Sequence, residues 1–142
     1  MEFQTLLESR RSVRSYDASK TVTREQIKEI VEAGILAPSW KNSQTARYYC
    51  VIDEAAKEKF AKECLPEFNI NSSKGAGAYV ITTFVANRSG FDREGNPDNE
   101  CGNGWGYYDL GLHNENVILK AKELGLDTLV MGIRDGKKIR EM

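Results

Sequence analysis

Seven residues near the N-terminus, Arg10-Arg11-Ser12-Val13-Arg14-Ser15-Tyr16, gather three guanidinium groups and two serine hydroxyls around a single valine. Such a cluster repels itself unless an anion sits nearby. Run as extended chain, the period of two places Arg10, Ser12 and Arg14 on one face and Arg11 and Val13 on the other. A planar guanidinium forks onto phosphate oxygens and a hydroxyl adds a donor, so that face suits a phosphate. Taken alone, the segment fits a solvated basic patch at least as well.

The elements that must position this cluster are legible in outline. Phe3, Leu6 and Leu7 at helical spacing predict a short amphipathic helix over residues 2 to 9 that delivers the chain to the arginines. Thr23-Arg24-Glu25-Gln26 reads as a capping box opening a second helix, with Ile27, Ile30, Val31, Ile35 and Leu36 on one side and Pro38 as its stop. Residues 39 to 45 are short and polar. Arg47 to Asp53 is aromatic and β-branched, hence a strand. Glu54 to Leu65 is a charged helix ended by Pro66, and residues 67 to 77 read as a loop. Residues 78 to 86 form the most apolar strand, expected to be buried on both faces. The stretch 87 to 104, rich in Gly, Asn and Asp, reads as a lid or substrate-side flap, or as an unstructured loop.

A long helix follows from about Trp105 to Leu124. Tyr108, Leu112 and Leu119 form one apolar stripe, and Leu110, Val117, Ala121 and Leu124 form another, which predicts burial on both. Gly125 supplies the left-handed stop. Thr128 to Ile133 reads as a last strand, and Asp135 as the cap of a terminal turn.

Composition narrows the function classes. The 142 residues make one domain, long enough to bury roughly two thirds of the surface the unfolded chain exposes. Twenty Lys and Arg against 21 Asp and Glu leave a net charge of -1, so no protein-wide attraction to nucleic acid or membrane is expected. Three cysteines, Cys50, Cys64 and Cys101, lack a Cys-x-x-Cys pair; they argue for reduced thiols, a cytoplasmic setting and no zinc site. No secretory leader or membrane-length apolar run is visible. Gly75-Ala-Gly77 precedes a strand and opens no helix, so it is no dinucleotide fingerprint. Asp92, Glu94, Asp98 and Glu100 miss the spacing of a calcium loop. The lone histidine, His113, falls inside the long helix, where a hydrogen-bonded core residue is the natural reading.

Three runs in order, Arg-Arg-Ser-Val-Arg-Ser-Tyr-Asp (10 to 17), Leu-Ala-Pro-Ser-Trp-Lys-Asn-Ser-Gln (36 to 44) and Leu-Gly-Leu-Asp-Thr-Leu-Val-Met-Gly (124 to 132), resemble the FMN-dependent nitroreductase family. The resemblance implies an α+β, three-layer fold with a central mixed β-sheet flanked by helices, in a homodimer with two FMN sites at the subunit interface. It implies that Arg10 and Ser12 hold the FMN phosphate, that Arg11 lies at the ribityl and phosphate side, and that Arg14 faces the N1/O2 edge of the ring. Pro38, Ser39, Trp40 and Asn42 match the segment that reaches the flavin from the partner subunit. Met131 and Gly132 match the strand end whose backbone N–H approaches N5, where a missing side chain permits close approach. Asn69 is the residue for the pyrimidine edge, with Asn71 the competing register and Lys74 assisting. No acid-base residue and no metal is implied, because the cofactor carries the redox chemistry.

Two departures stand out. The family commonly has Gln-Pro-Trp where this chain has Gln44-Thr45-Ala46. Family members also continue with a further strand and a C-terminal arm, whereas this chain stops at Met142, as a single domain shortened relative to the family. The expected function is an oxidoreductase passing electrons from NAD(P)H to a small planar acceptor, a nitroaromatic, quinone or similar, by ping-pong exchange. The alternative is a non-catalytic flavin-binding or partner-binding protein, or an incomplete fold with weak FMN affinity. A nucleic-acid binder using the arginines is opposed by the balanced charge.

Overall fold

The computed structural model describes residues 1–142. In chain order the elements are α1 (Phe3–Ser9), α2 (Arg24–Ile35), β1 (Ala46–Val51), α3 (Glu54–Cys64), α4 (Glu67–Ser72), β2 (Tyr79–Phe84), α5 (Gly104–Glu123) and α6 (Gly136–Glu141), with a single 3-10 turn at Trp40–Asn42. Local signals set most boundaries. The Thr23 hydroxyl accepts from the Gln26 N–H while the Gln26 side chain accepts from the Thr23 N–H, the full capping box of α2. Gly125, at φ 78°, closes α5: its N–H donates to the Lys122 carbonyl, and that of Leu126 to the Ala121 carbonyl, so two otherwise orphaned carbonyls are satisfied. The Asp135 carboxylate accepts from the N–H groups of Lys137 and Lys138 and opens α6.

The sheet differs from expectation. It is a two-stranded antiparallel pair, β1 with β2, in a register running from Ala46 opposite Phe84 to Val51 opposite Tyr79, and not a mixed central sheet. The 128–133 segment forms no strand; its one pairing is a parallel bridge of Thr128 to Ser12. A β-rich sequence becomes a ladder only where a neighbour lies alongside, and the partner segment pairs here at one residue. Residues 67–72, expected as loop, form α4 behind Pro66, whose fixed φ suits the entry to a helix. β2 is half-buried along its whole length rather than buried on both faces.

Two small cores hold the fold. Ile30 of α2 meets Val117 and Ala121 of α5, with Tyr48, Leu124 and Leu126 around them. Phe60, Cys64 and Leu65 at the end of α3 pack under Ile70, Tyr79, Ile81 and Met131. The α2 and α5 backbones come close at Gly34, where a Cβ would stand 2.8 Å from Val117 Cγ2. α5 is buried along one stripe only, Gly106, Leu110, His113, Val117 and Ala121. The second stripe expected to be buried is only partly covered: Leu112 and Leu119 are half-buried and Tyr108 is 60% exposed, while Leu36, at the end of α2, is 84% exposed. No helix is long and apolar enough to cross a membrane.

Candidate active site

The arginine cluster leaves α1 as extended chain. Arg10 has φ -63° and ψ 132°, and the Val13 N–H donates to the Thr128 carbonyl at 3.1 Å, which ties the cluster to the 126–132 segment. Arg10, Arg11 and Arg14 take part in none of the ion pairs of the protein. Arg11 donates to the carbonyls of Glu8 and Arg10, Arg14 makes one long contact to the Ser12 carbonyl at 3.4 Å, and the Arg10 guanidinium donates to nothing in the chain. Three adjacent cations without a carboxylate are a donor set suited to phosphate.

Gly132 lies exposed beyond Thr128, with open space where a Cβ would be, while the Met131 side chain packs on the Phe60 cluster. Asn69 is buried in α4 and its Nδ2 donates to the Ile133 carbonyl at 2.8 Å, so it anchors the segment that carries Gly132. Asn71 and Lys74, nearby in sequence, are exposed.

Pro38, Ser39, Trp40 and Asn42 belong to a different place in the chain, above the N-terminal half of α5. The turn here is strained: Lys41, Asn42 and Gln44 all have φ near 50°. Left-handed non-glycine residues cost on the order of 1 kcal/mol each and persist only where surroundings hold them. The holding group is Asp109, which the sequence reading missed. It is 3% exposed, accepts the Trp40 backbone N–H at 2.9 Å, and takes a short hydrogen bond from the Ser89 hydroxyl. Ser89 in turn meets Ser43 Oγ at 2.7 Å. The Ser39 hydroxyl accepts the Gln44 N–H at 3.0 Å, and Lys41 pairs with Asp98 at 2.8 Å. One signal was available, a carboxylate at position 109 within the stripe of α5 that also carries Gly106, Leu110 and His113.

The Trp40 ring lies 4.6 Å from Trp105, which lies 5.6 Å from Tyr108, and with Leu112 and Pro38 they wall a shallow cleft of about 250 Å³. No hydrogen bond joins residues 38–42 to residues 10–14. The sequence-derived site residues thus lie in separate places: the arginine segment is bridged to Thr128, Met131 and Asn69 hold the 131–133 backbone, and the Pro38 turn sits on α5. His113 is the core residue expected, 3% exposed with Nδ1 2.7 Å from the Asp109 carbonyl oxygen. Residues 85–103, between β2 and α5, fold into turns pinned by a Phe91–Pro97 bridge and by side-chain amide contacts between Asn87 and Asn103.

The chain belongs to the nitroreductase family, whose sequence model matches residues 7–142. It is 35% identical over 84 residues to the Bacillus subtilis (strain 168) protein named "Putative NAD(P)H nitroreductase YdgI", a match covering 59% of this chain and 39% of that one. The match thus spans about two fifths of the length of this curated relative. A nitroreductase family protein from Clostridium novyi NT shares the fold with a TM-score of 0.79 at 19% identity, over 99% of this chain and 75% of that one. A structure from Desulfovibrio desulfuricans, solved in complex with FMN, aligns with a TM-score of 0.69 at 26% identity, over 91% and 67% of the two chains.

Proposed function

We propose that the protein is an FMN-dependent oxidoreductase that draws electrons from NAD(P)H and delivers them to a small planar acceptor, a nitroaromatic, a quinone or a similar compound, by ping-pong exchange. The observation that carries this reading is the trio Arg10, Arg11 and Arg14, held extended against Thr128 with no carboxylate partner. FMN bound to the Desulfovibrio desulfuricans relative and the name of YdgI support it. FMN, when bound, supplies two-electron chemistry, accepting from the nicotinamide and donating to the acceptor.

The chain's part is binding, orientation and charge. Arg10 and Ser12 hold the phosphate, Arg11 flanks it, and Arg14 places positive charge at the ring edge. The open space at Gly132 lets backbone approach the ring, and Met131 and Asn69 fix that backbone in place, one by packing and one by its bond to Ile133. Asn71, exposed on α4, is free to meet the pyrimidine edge. Pro38, Ser39, Trp40 and Asn42 complete the pocket from a partner subunit, in keeping with the lack of any hydrogen bond between that turn and the arginines of its own chain. Phe3, Ile35, Leu36 and Tyr108 are exposed apolar side chains that a homodimer would cover. Cys50, Cys64 and Cys101 are unpaired, and we place the protein in the cytoplasm, where thiols are kept reduced.

The purified protein, incubated with FMN and desalted, is expected to retain flavin absorbance that NADH or NADPH bleaches without oxygen. A protein that retains no flavin overturns the reading; retained flavin that neither donor bleaches leaves a flavin binder without the activity. Sedimentation over a concentration series, followed at the flavin wavelength, tests the shared pocket. Flavin travelling with the dimer alone is expected, and monomer carrying stoichiometric FMN removes residues 38 to 42 from the partner-supplied set.

A further inference from the structure

Val13 is the one residue between Arg11 and Tyr16 whose backbone N–H and carbonyl are both bonded. The N–H donates to the Thr128 carbonyl at 3.1 Å, and the carbonyl accepts the Tyr16 hydroxyl at 2.9 Å. The second bond runs from a side chain at 16 back to a carbonyl at 13, the span over which a β-turn is ordinarily closed by backbone. Arg14 and Ser15 lie inside the loop so formed, and their own N–H groups donate to no acceptor in the chain. The Arg14 side chain has only its 3.4 Å contact to the Ser12 carbonyl. Extended backbone without a ladder keeps its φ and ψ freedom unless its ends are tied, so the direction of Arg14 depends on the two bonds at Val13.

Tyr16 is fixed in turn by groups outside the segment. Its ring is half-buried; burial first, then the nearby Asp127 carboxylate and Tyr79, raise the phenol above its ordinary pKa, so at neutral pH the hydroxyl keeps the proton it donates. Its carbonyl lies against Gly75, at φ 81°, where a Cβ would stand 2.9 Å from the Tyr16 oxygen. Gly77 lies against the Val22 side chain in the same manner. The Gly75-Ala76-Gly77 run, which makes no dinucleotide turn, thus admits the chain at Tyr16 and Val22 to distances that side chains would block.

We propose that Tyr16 is a positioning residue for the arginine segment: seated on Gly75 and bonded to the Val13 carbonyl, it sets the course of the chain at Arg14 and so the direction of that guanidinium. The inference rests on the reading of the segment as the flavin site, and adds to it a residue that acts through Val13. A phenylalanine at position 16 fills the same space and supplies no donor, so the hydroxyl alone separates positioning from packing. Arg10 lies outside the loop, with its N–H bonded back into α1 at the Leu6 carbonyl, and serves as the internal control.

Y16F is compared with the parent, R14A, R10A and the two double variants. In flavin-free Y16F the thermal midpoint is expected to stay close to the parent, while exchange of the Val13 amide proton quickens several-fold as its anchor loosens. With FMN, Y16F should raise the Kd about two- to tenfold, the range for one neutral hydrogen bond, and lower the flavin midpoint potential in the same direction as R14A. Y16F/R14A should match R14A alone in Kd and potential, because a residue that acts through Arg14 has nothing left to position, whereas Y16F/R10A should show the sum of its two single losses. Parent-like exchange at Val13 in Y16F overturns the proposal. So does faster exchange with a parent-like Kd and potential, or additive losses in Y16F/R14A, which would mark a bond that only stabilises the fold. A parent chain that retains no FMN overturns the functional reading instead, and the exchange measurement, made without flavin, then decides whether Tyr16 holds the segment.

Discussion

The Asp109 carboxylate accepts the backbone N–H of Trp40 at 2.9 Å, joining α5 to a turn 69 residues earlier in the chain. The turn holds three left-handed residues, none of them glycine, within four positions, and the same carboxylate fixes Ser89 beside Ser43. Asp109→Ala leaves two buried donors without an acceptor, and each such loss costs about 1–3 kcal/mol. The expected outcome is a stability loss of about 2–5 kcal/mol in denaturant unfolding, with Asp109→Asn losing less because an amide oxygen still accepts the Trp40 N–H. An unchanged midpoint in Asp109→Ala would mean that the turn holds its shape without α5.

Arg10→Ala removes a guanidinium that has no role within the chain, so it should leave the thermal midpoint nearly unchanged while weakening FMN binding by about 1.5–3 kcal/mol. Fluorescence titration of FMN measures it, and an unaltered Kd removes Arg10 from the phosphate site.

Arg14→Ala should lower the flavin midpoint potential with less effect on affinity, because it withdraws positive charge from the ring edge. A spectroelectrochemical titration that returns the parent potential sinks that role.

Gly34→Ala tests the approach of α2 to α5. The new Cβ would stand 2.8 Å from Val117 Cγ2 and 3.1 Å from the Tyr48 hydroxyl, so a helix must shift, at about 1–3 kcal/mol for an overpacked contact. A gain in stability, as alanine normally gives in a helix, would show that the gap is wider than it stands here.

Tyr48 carries a buried hydroxyl with no partner, and burial pushes its pKa up to about 12. The folded pKa lies above the unfolded value near 10, so the folded form holds its proton where the unfolded form has lost it. This contribution to stability is present in full below about pH 10 and is lost as the pH rises toward 12. Tyr48→Phe should therefore be neutral or slightly stabilising at pH 7, and should remove the highest-pH step from a spectrophotometric tyrosine titration. A clear loss of stability at pH 7 would reveal a partner for the hydroxyl.

Much of the local structure was legible along the chain. Thr23 with Gln26, Gly125 and Asp135 each act within a few residues, so their caps and stops are written in adjacent letters. The three runs that mark the family are also contiguous, and the match over residues 7–142 bears them out. What adjacency cannot carry was decided by the tertiary structure. Thr128 to Ile133 has strand-like residues, yet it pairs only at Thr128, because a ladder needs a neighbour and Ser12 alone is in register. Tyr108 and Leu36 look like core residues and stay exposed, because periodicity states that a stripe is apolar without stating what covers it. Asn69 became a buried anchor for Ile133, and Asp109 reached Trp40 and Ser89, through contacts 64, 69 and 20 residues apart. Hydrogen bonds act over about 3 Å of space whatever the separation in sequence, so partners of that kind exist only once the chain has folded.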